Sequence, residues 1–194
     1  MVSTFVYSLI FFASIEALLA HSSIDYYWRD YNGKIPEDAV LGGRDKYNKD
    51  IYIGQAYVQN EGLVVVQIDK GQSTVYAEME GIKRLDKNIK ILCGPPHSFY
   101  WMPSNLTKLH TDLKKKQLVV GGHEDGAKRY FVGRIQCPDG VCIGKVLEKG
   151  YRDRSVFYGV DRSGHQLKGD SYEVLVNEFV IHERGYFNFD ENVL

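Results

Sequence analysis

Two stretches, "VLGGRDKYNKDIYIGQA" (residues 40–56) and "VVGGHEDGAKRYFVGRI" (residues 119–135), follow one pattern: two apolar residues, Gly-Gly, an acidic polar stretch, then an alternating strand. Each strand reaches a glycine, Gly54 or Gly133, twelve places after the first glycine of the pair. The alternation of aromatic and branched residues in "DIYIGQAYV" and "KRYFVGRIQ" suits half-buried β-strands. Each copy then turns at an acidic-Gly pair, Glu61-Gly62 or Asp139-Gly140, enters a second apolar strand, "LVVVQIDKG" or "VCIGKVLEKG", and closes with "IKILC" or "YEVLV". Four or so short strands per copy, separated by Gly, Asn and Asp turns, predict an all-β fold of antiparallel strands.

Outward from the Gly-Gly pairs, the copies open on tryptophans: "DYYWRDYNGKIPEDAVLGG" at Trp28 and "SFYWMPSNLTKLHTDLKKKQLVVGG" at Trp101. The second connector is six residues longer and carries Lys114, Lys115 and Lys116, the extra length falling where surface loops accept it. About seventy residues with one apolar face per strand cannot readily cover that face alone, so two copies, residues 25–94 and 95–177, are expected to pack about a pseudo-two-fold axis. A tryptophan recurring at one place in both copies, as Trp28 and Trp101 do, is more often core than a ligand-stacking ring.

The 194 residues are 44% apolar and 13% aromatic, enough for one self-sufficient core. Lys and Arg number 24 against 25 Asp and Glu, so no global field draws the chain to nucleic acid or an acidic membrane. Residues 1–20, with the run "FVYSLIFFASIEALLA" and small residues at Ala17 and Ala20, read as a secretory signal peptide; a buried helix or interfacial anchor is the competing reading. Residues 178–194 form a predicted C-terminal strand or tail. In "CPDGVC", Cys137 and Cys142 flank a turn, a spacing compatible with a hairpin disulfide in an oxidising compartment or with two buried thiols, and Cys93 is expected to stay free. Asn105 in "NLT" is a glycosylation sequon. The six histidines are scattered without metal-ligand spacing, so neither a metal nor a cofactor is expected.

Taken together, the tryptophan, "IPEDAVLGG", the acidic residue, the alternating strand, "GKV" and "YEVL" resemble the DM9 repeat over roughly residues 26–176. DM9 repeats occur in insect secreted proteins, in molluscan lectins and at the front of fish-venom natterins. The resemblance implies a secreted, extracellular, metal-independent lectin for mannose-type glycans, acting in innate immune recognition or in a salivary or venom secretion, with a homodimer left open. It also implies a binding pair: the acid after Gly-Gly and the lysine of "GKV". These positions are Glu124 and Lys145 in the second copy. In the first they are Asp45 and Gln67, or Val66 if the gap is placed differently.

The pair makes chemical sense, because a sugar's vicinal hydroxyls both donate and accept, and a carboxylate beside an ammonium satisfies both roles with charge-assisted bonds. Losing one such bond costs about 1.5–3 kcal/mol, so the second copy, with both charges, is expected to be the stronger site. The competing reading makes Asp45 and Glu124 turn carboxylates serving local backbone N–H groups. A further alternative is a DM9 scaffold that has lost sugar binding and acts through protein contacts. Catalysis is not expected: there is no nucleophile elbow or phosphate-cradling loop, and His123 and Glu124, as neighbours on a strand, point to opposite faces.

Overall fold

The computed structural model describes residues 26–114, 116–124, 129–148 and 155–178. The predicted leader and, apart from Glu178, the predicted tail lie outside them. Within the described residues the chain is all-β and antiparallel. The first half comprises β1 (Tyr27–Asp30), β2 (Leu41–Arg44), β3 (Asp50–Val58), β4 (Gly62–Asp69), β5 (Val75–Glu78), β6 (Ile82–Leu85) and β7 (Ile89–Cys93). The second comprises β8 (Phe99–Asn105), the one-turn helix α1 (Leu109–Leu113), β9 (Val120–Glu124), β10 (Arg129–Cys137), β11 (Gly140–Leu147), β12 (Phe157–Val160), β13 (Gln166–Gly169) and β14 (Ser171–Asn177).

The two halves share a pairing scheme. The first tryptophan-bearing strand lies against the last strand of its half, β1 on β7 and β8 on β14. That last strand pairs with the long central one, β7 with β3 and β14 with β10. Each central strand also forms a hairpin with its successor, β3 with β4 and β10 with β11. Outer hairpins β5–β6 and β12–β13 complete the halves. The long apolar runs of β3, β4, β10 and β11 follow from position: these strands are covered on both faces and are rich in branched residues that pack on a pleated surface.

The repeated Gly-Gly has a structural cause. Leu41 and Gly43 oppose successive residues Tyr52 and Ile51, and Val120 and Gly122 likewise oppose Phe131 and Tyr130, so Gly42 and Gly121 are each the extra residue of a bulge. Each bulge presses on the other half. A Cβ on Gly42 would stand 2.9 Å from Ile143 Cδ1, and one on Gly121 2.2 Å from Val65 Cγ2. Only a residue without a side chain fits so close to a branched neighbour.

The core has three parts. One cluster lies mainly in each half, and a third is shared, formed by Val40, Ile51, Ile53, Val65 and Leu92 with Val119, Val132, Ile143 and Leu175. Trp28 and Trp101 pack, half-buried, against this shared cluster. Strand β4 meets β9 through Gly62 opposite Glu124, and Asp45 bridges Gly140 in the opposite direction. Thus Asp45 and Glu124, which follow the two Gly-Gly pairs, each lie against a hairpin of the other half.

Candidate functional site

Asp45 follows β2 and closes the turn into β3. Its Oδ1 accepts the backbone N–H of Tyr47 and of Lys49, both at 2.8 Å, the local turn-carboxylate role. Its Oδ2 accepts from Arg162 Nη1 at 2.6 Å. Arg162 comes from the turn between β12 and β13, 117 residues away. The hydrogen bond from Arg162 is the main cause that holds the Asp45 carboxyl below its ordinary range. The carboxylate is only 1% exposed, so the group that solvent or a ligand meets is Arg162, 27% exposed.

Gln67 belongs to the same network. The β-ladders place it opposite Ile53, the residue before Gly54, just as Lys145 stands opposite Val132, the residue before Gly133. Gln67, not Val66, is therefore the counterpart of Lys145. Its Oε1 accepts from Ile143 N at 3.2 Å, across to the other half, and its Nε2 donates to Asp69 Oδ1 at 3.2 Å. Asp69 in turn grips Arg162 in a fork, from Nε at 3.2 Å and Nη2 at 2.6 Å. The first copy's acid and its Gln67 are thus joined through an ion-pair network completed by the second half. A guanidinium has five N–H donors. Three are engaged by Asp45 and Asp69, which fix the group's plane, and among the described residues none takes the other two.

Beside Arg162 lies an open hollow also lined by Asp45, Tyr47, Lys49, Asp50 and Asp69. Tyr47 projects there with 69% of its surface exposed, one ring face carrying Lys46 Nζ at 5.3 Å from the centroid. Lys46 itself is tied to the β10–β11 turn by Asp139 at 3.0 Å. The hollow therefore offers directed donors, acceptors and a flat apolar surface.

The second copy's pair has different surroundings. Lys145, on β11, is buried: Nζ donates to Glu78 O at 2.6 Å, meets Glu78 Oε2 at 3.0 Å, lies 3.5 Å from Met79 Sδ and sits 4.8 Å over the Tyr130 ring. Glu124, at the end of β9, is half-buried. Burial raises the Tyr130 hydroxyl pKa, and the Glu124, Glu78, Glu61 and Glu80 carboxylates raise it further, so Glu124 and Lys145 share the surroundings of one tyrosine. Here, too, the cluster is composite, because β5 and the turn after it belong to the first half.

Arg162 is the residue that sequence reasoning missed. "DRSGH" reads as an ordinary polar turn, and its acidic partners Asp69 and Asp45 are 93 and 117 residues distant, so no local spacing announces them.

The family model of the DM9 repeat matches residues 7–82. Over that span the chain is similar to a DM9 repeat. The match takes in Asp45, Gln67 and Asp69, the first half's share of the Arg162 network, and extends forward into the segment read as a leader. DM9 repeats point to a lectin-like, carbohydrate-binding or immune-related role. No curated protein matches the chain.

Cys137 and Cys142 are joined as a disulfide across the β10–β11 hairpin, with Cα atoms 6.0 Å apart. Cys93 is a free thiol, fully buried on β7, and burial, followed by the neighbouring Asp38 carboxylate, pushes its pKa up to about 11. Asn105 ends β8 half-buried, its Oδ1 accepting from Thr107 N and Oγ1 and from Lys108 N, each at 3.1 Å. Among the described residues no group of three or more His, Cys, Asp or Glu is arranged to hold a metal ion.

Proposed function

We propose that the protein is a secreted, metal-independent carbohydrate-binding protein for neutral, mannose-type glycans, and that its ligand-contacting cation is Arg162. The observation that carries this reading is the Arg162 guanidinium, fixed by Asp45 and Asp69 at the edge of an open hollow under the exposed Tyr47 ring. A fixed fork donates to two adjacent hydroxyls with little further loss of conformational freedom. Asp45, Asp50 and Asp69 balance Lys49, Lys70 and Arg162 around the hollow, so it favours an uncharged polyol over an anionic glycan. In this scheme Asp45 positions Arg162 rather than touching the sugar.

On this reading the stronger site lies in the first copy rather than the second. Lys145 is buried against Glu78, and a sugar would have to break that ion pair to reach it. The hairpin disulfide, the sequon and the leader-like N-terminus support secretion. The competing reading, a DM9 scaffold acting through protein contacts, draws support from the structural use of Lys145. A glycan array with free mannose as competitor separates them. Competable binding to mannose-terminated glycans is expected, and binding to none of the glycans would return the protein to the scaffold class.

A further inference from the structure

Gln55 and Arg134 hold the same place in the two halves, each following the glycine of its long strand, Gly54 on β3 or Gly133 on β10. Each reaches the bulge carbonyl of the other half: Gln55 Nε2 donates to Gly121 O at 2.9 Å and Arg134 Nη1 to Gly42 O at 3.0 Å. The tie therefore needs only an amide, and Gln55 makes it while buried. Arg134 brings more than the tie uses. Its Nε donates to Glu173 Oε2 at 2.6 Å, and its guanidinium lies 4.3 Å from the centroid of the Trp101 ring, so the group is held by two hydrogen bonds and backed by a flat surface. Of the five N–H donors of a guanidinium, two are engaged, and among the described residues none takes the others.

Arg134 lines a hollow that shares no residue with the one beside Arg162. Strands β10 and β14 pair only at Gly133–Val174 and Arg134–Glu173; beyond these, β10 follows β11 and β14 follows β8, and the hollow between them is lined by Arg134, Gln136, Val141, Ser171 and Glu173. It holds about 370 Å³ of space against about 220 Å³ beside Arg162, and one water needs only roughly 10–15 Å³. We infer that this hollow is a second, weaker site for a neutral saccharide unit, independent of the one at Arg162, so that one chain holds two glycan ends. This rests on the carbohydrate-binding reading and adds a second point of attachment. The Arg134–Glu173 pair leaves no net charge in the hollow, the exposed Gln136 and Ser171 both donate and accept, and Val141 supplies an apolar patch. Vicinal hydroxyls fit that mixture, whereas a ligand carboxylate would compete with Glu173 for the guanidinium. Tyr172, the aromatic residue on its wall, is buried, so the hollow holds a sugar less firmly than the one under the exposed Tyr47. Two weak sites on one chain gain affinity together for a surface that carries many glycan ends.

The test pairs tryptophan emission with calorimetry as methyl α-mannopyranoside is titrated into the intact protein. Trp101 backs Arg134, whereas neither Trp28 nor Trp101 lines the hollow beside Arg162, so emission reports the second site. A saturable emission change is expected, and it should persist in Arg162→Lys while the calorimetric affinity falls. Gln136→Phe, which fills the hollow from an exposed position, should lose the emission change and keep the main heat of binding. Should Gln136→Phe unfold, Ser171→Phe, exposed on the facing strand, takes its place with the same expectation. Calorimetric binding without an emission change in the parent would overturn the second site, as would an emission change that disappears from Arg162→Lys together with the heat, or one that survives the filled hollow. Failure of the parent to bind by either measure would overturn the carbohydrate reading and this inference with it.

Discussion

At the scale of single residues, the network depends on an arginine held between two carboxylates. Arg162→Lys keeps the charge but replaces the planar fork with a point donor, so it is expected to cut sugar affinity about tenfold or more while the melting temperature falls only modestly. Undiminished binding by a folded Arg162→Lys protein, measured by calorimetry, would remove Arg162 from the ligand. Protonation gives a second handle. The folded pKa of Asp45 is lowered, so its contribution to stability is fully present above the unfolded value of about 3.9 and is lost as pH falls through the lower folded value. Thermal melts between pH 7 and pH 2 should show little change from this group down to about pH 4 and a loss below it, and Asp45→Asn should flatten that acid limb. Lys145 tests the other cluster. Removing it alone leaves the buried Glu78 carboxylate without its cation, with Gln166 Nε2 still donating to Oε1, and a cost of about 3 kcal/mol is expected in urea unfolding. Lys145→Met with Glu78→Gln should recover much of that loss.

At the scale of the element, the Gly-Gly bulge and the β10–β11 hairpin carry the argument. Gly121→Ala would put a methyl group into Val65 and Val132, and should destabilise the fold by about 1–3 kcal/mol, with partial rescue by Val65→Ala. No change in urea midpoint would mean that the bulge relaxes without meeting the facing hairpin. Cys137→Ser with Cys142→Ser opens a short loop and is expected to cost about 2 kcal/mol. Alkylation mass spectrometry of the purified protein before and after reduction should find these two cysteines protected only before reduction. The tip of this hairpin abuts the Asp45 turn, through Gly140 opposite Asp45 and Asp139 with Lys46, so its loss should also weaken sugar binding.

At the scale of the whole molecule, neither half contains a complete site or a complete core. Val65 and Ile143 sit in one shared cluster, each under the other half's bulge, and Arg162 reaches Asp45 and Asp69 across the same boundary. A fragment of residues 25–94 alone would expose its part of that cluster and should show no cooperative thermal transition by circular dichroism. Co-expression with residues 95–177 should restore a soluble complex that melts cooperatively and binds the sugar. A cooperative melt of the first fragment alone would reject the shared core as a folding requirement. The repeated pairing scheme further leads us to expect that a crystal structure will relate the halves by a rotation close to two-fold.

The strands and their turns were legible in the sequence, because alternation and acidic-Gly turns are local consequences of backbone sterics and side-chain period. Residues 40–56 and 119–135 share one pattern of letters, and each holds a bulge at its Gly-Gly followed by a long central strand, β3 or β10. The resemblance to the DM9 repeat pointed to Asp45 and to Gln67 or Val66 in the first copy, and the β3–β4 register chose Gln67 as the counterpart of Lys145. Only the tertiary structure decided what these residues do. Asp45 became a buried anchor, Lys145 was drawn into an ion pair with Glu78, and the exposed cation of the first site turned out to be Arg162. Charge pairing depends on distance in space, and a contact made across 117 residues leaves no period, spacing or composition by which the linear chain could announce it.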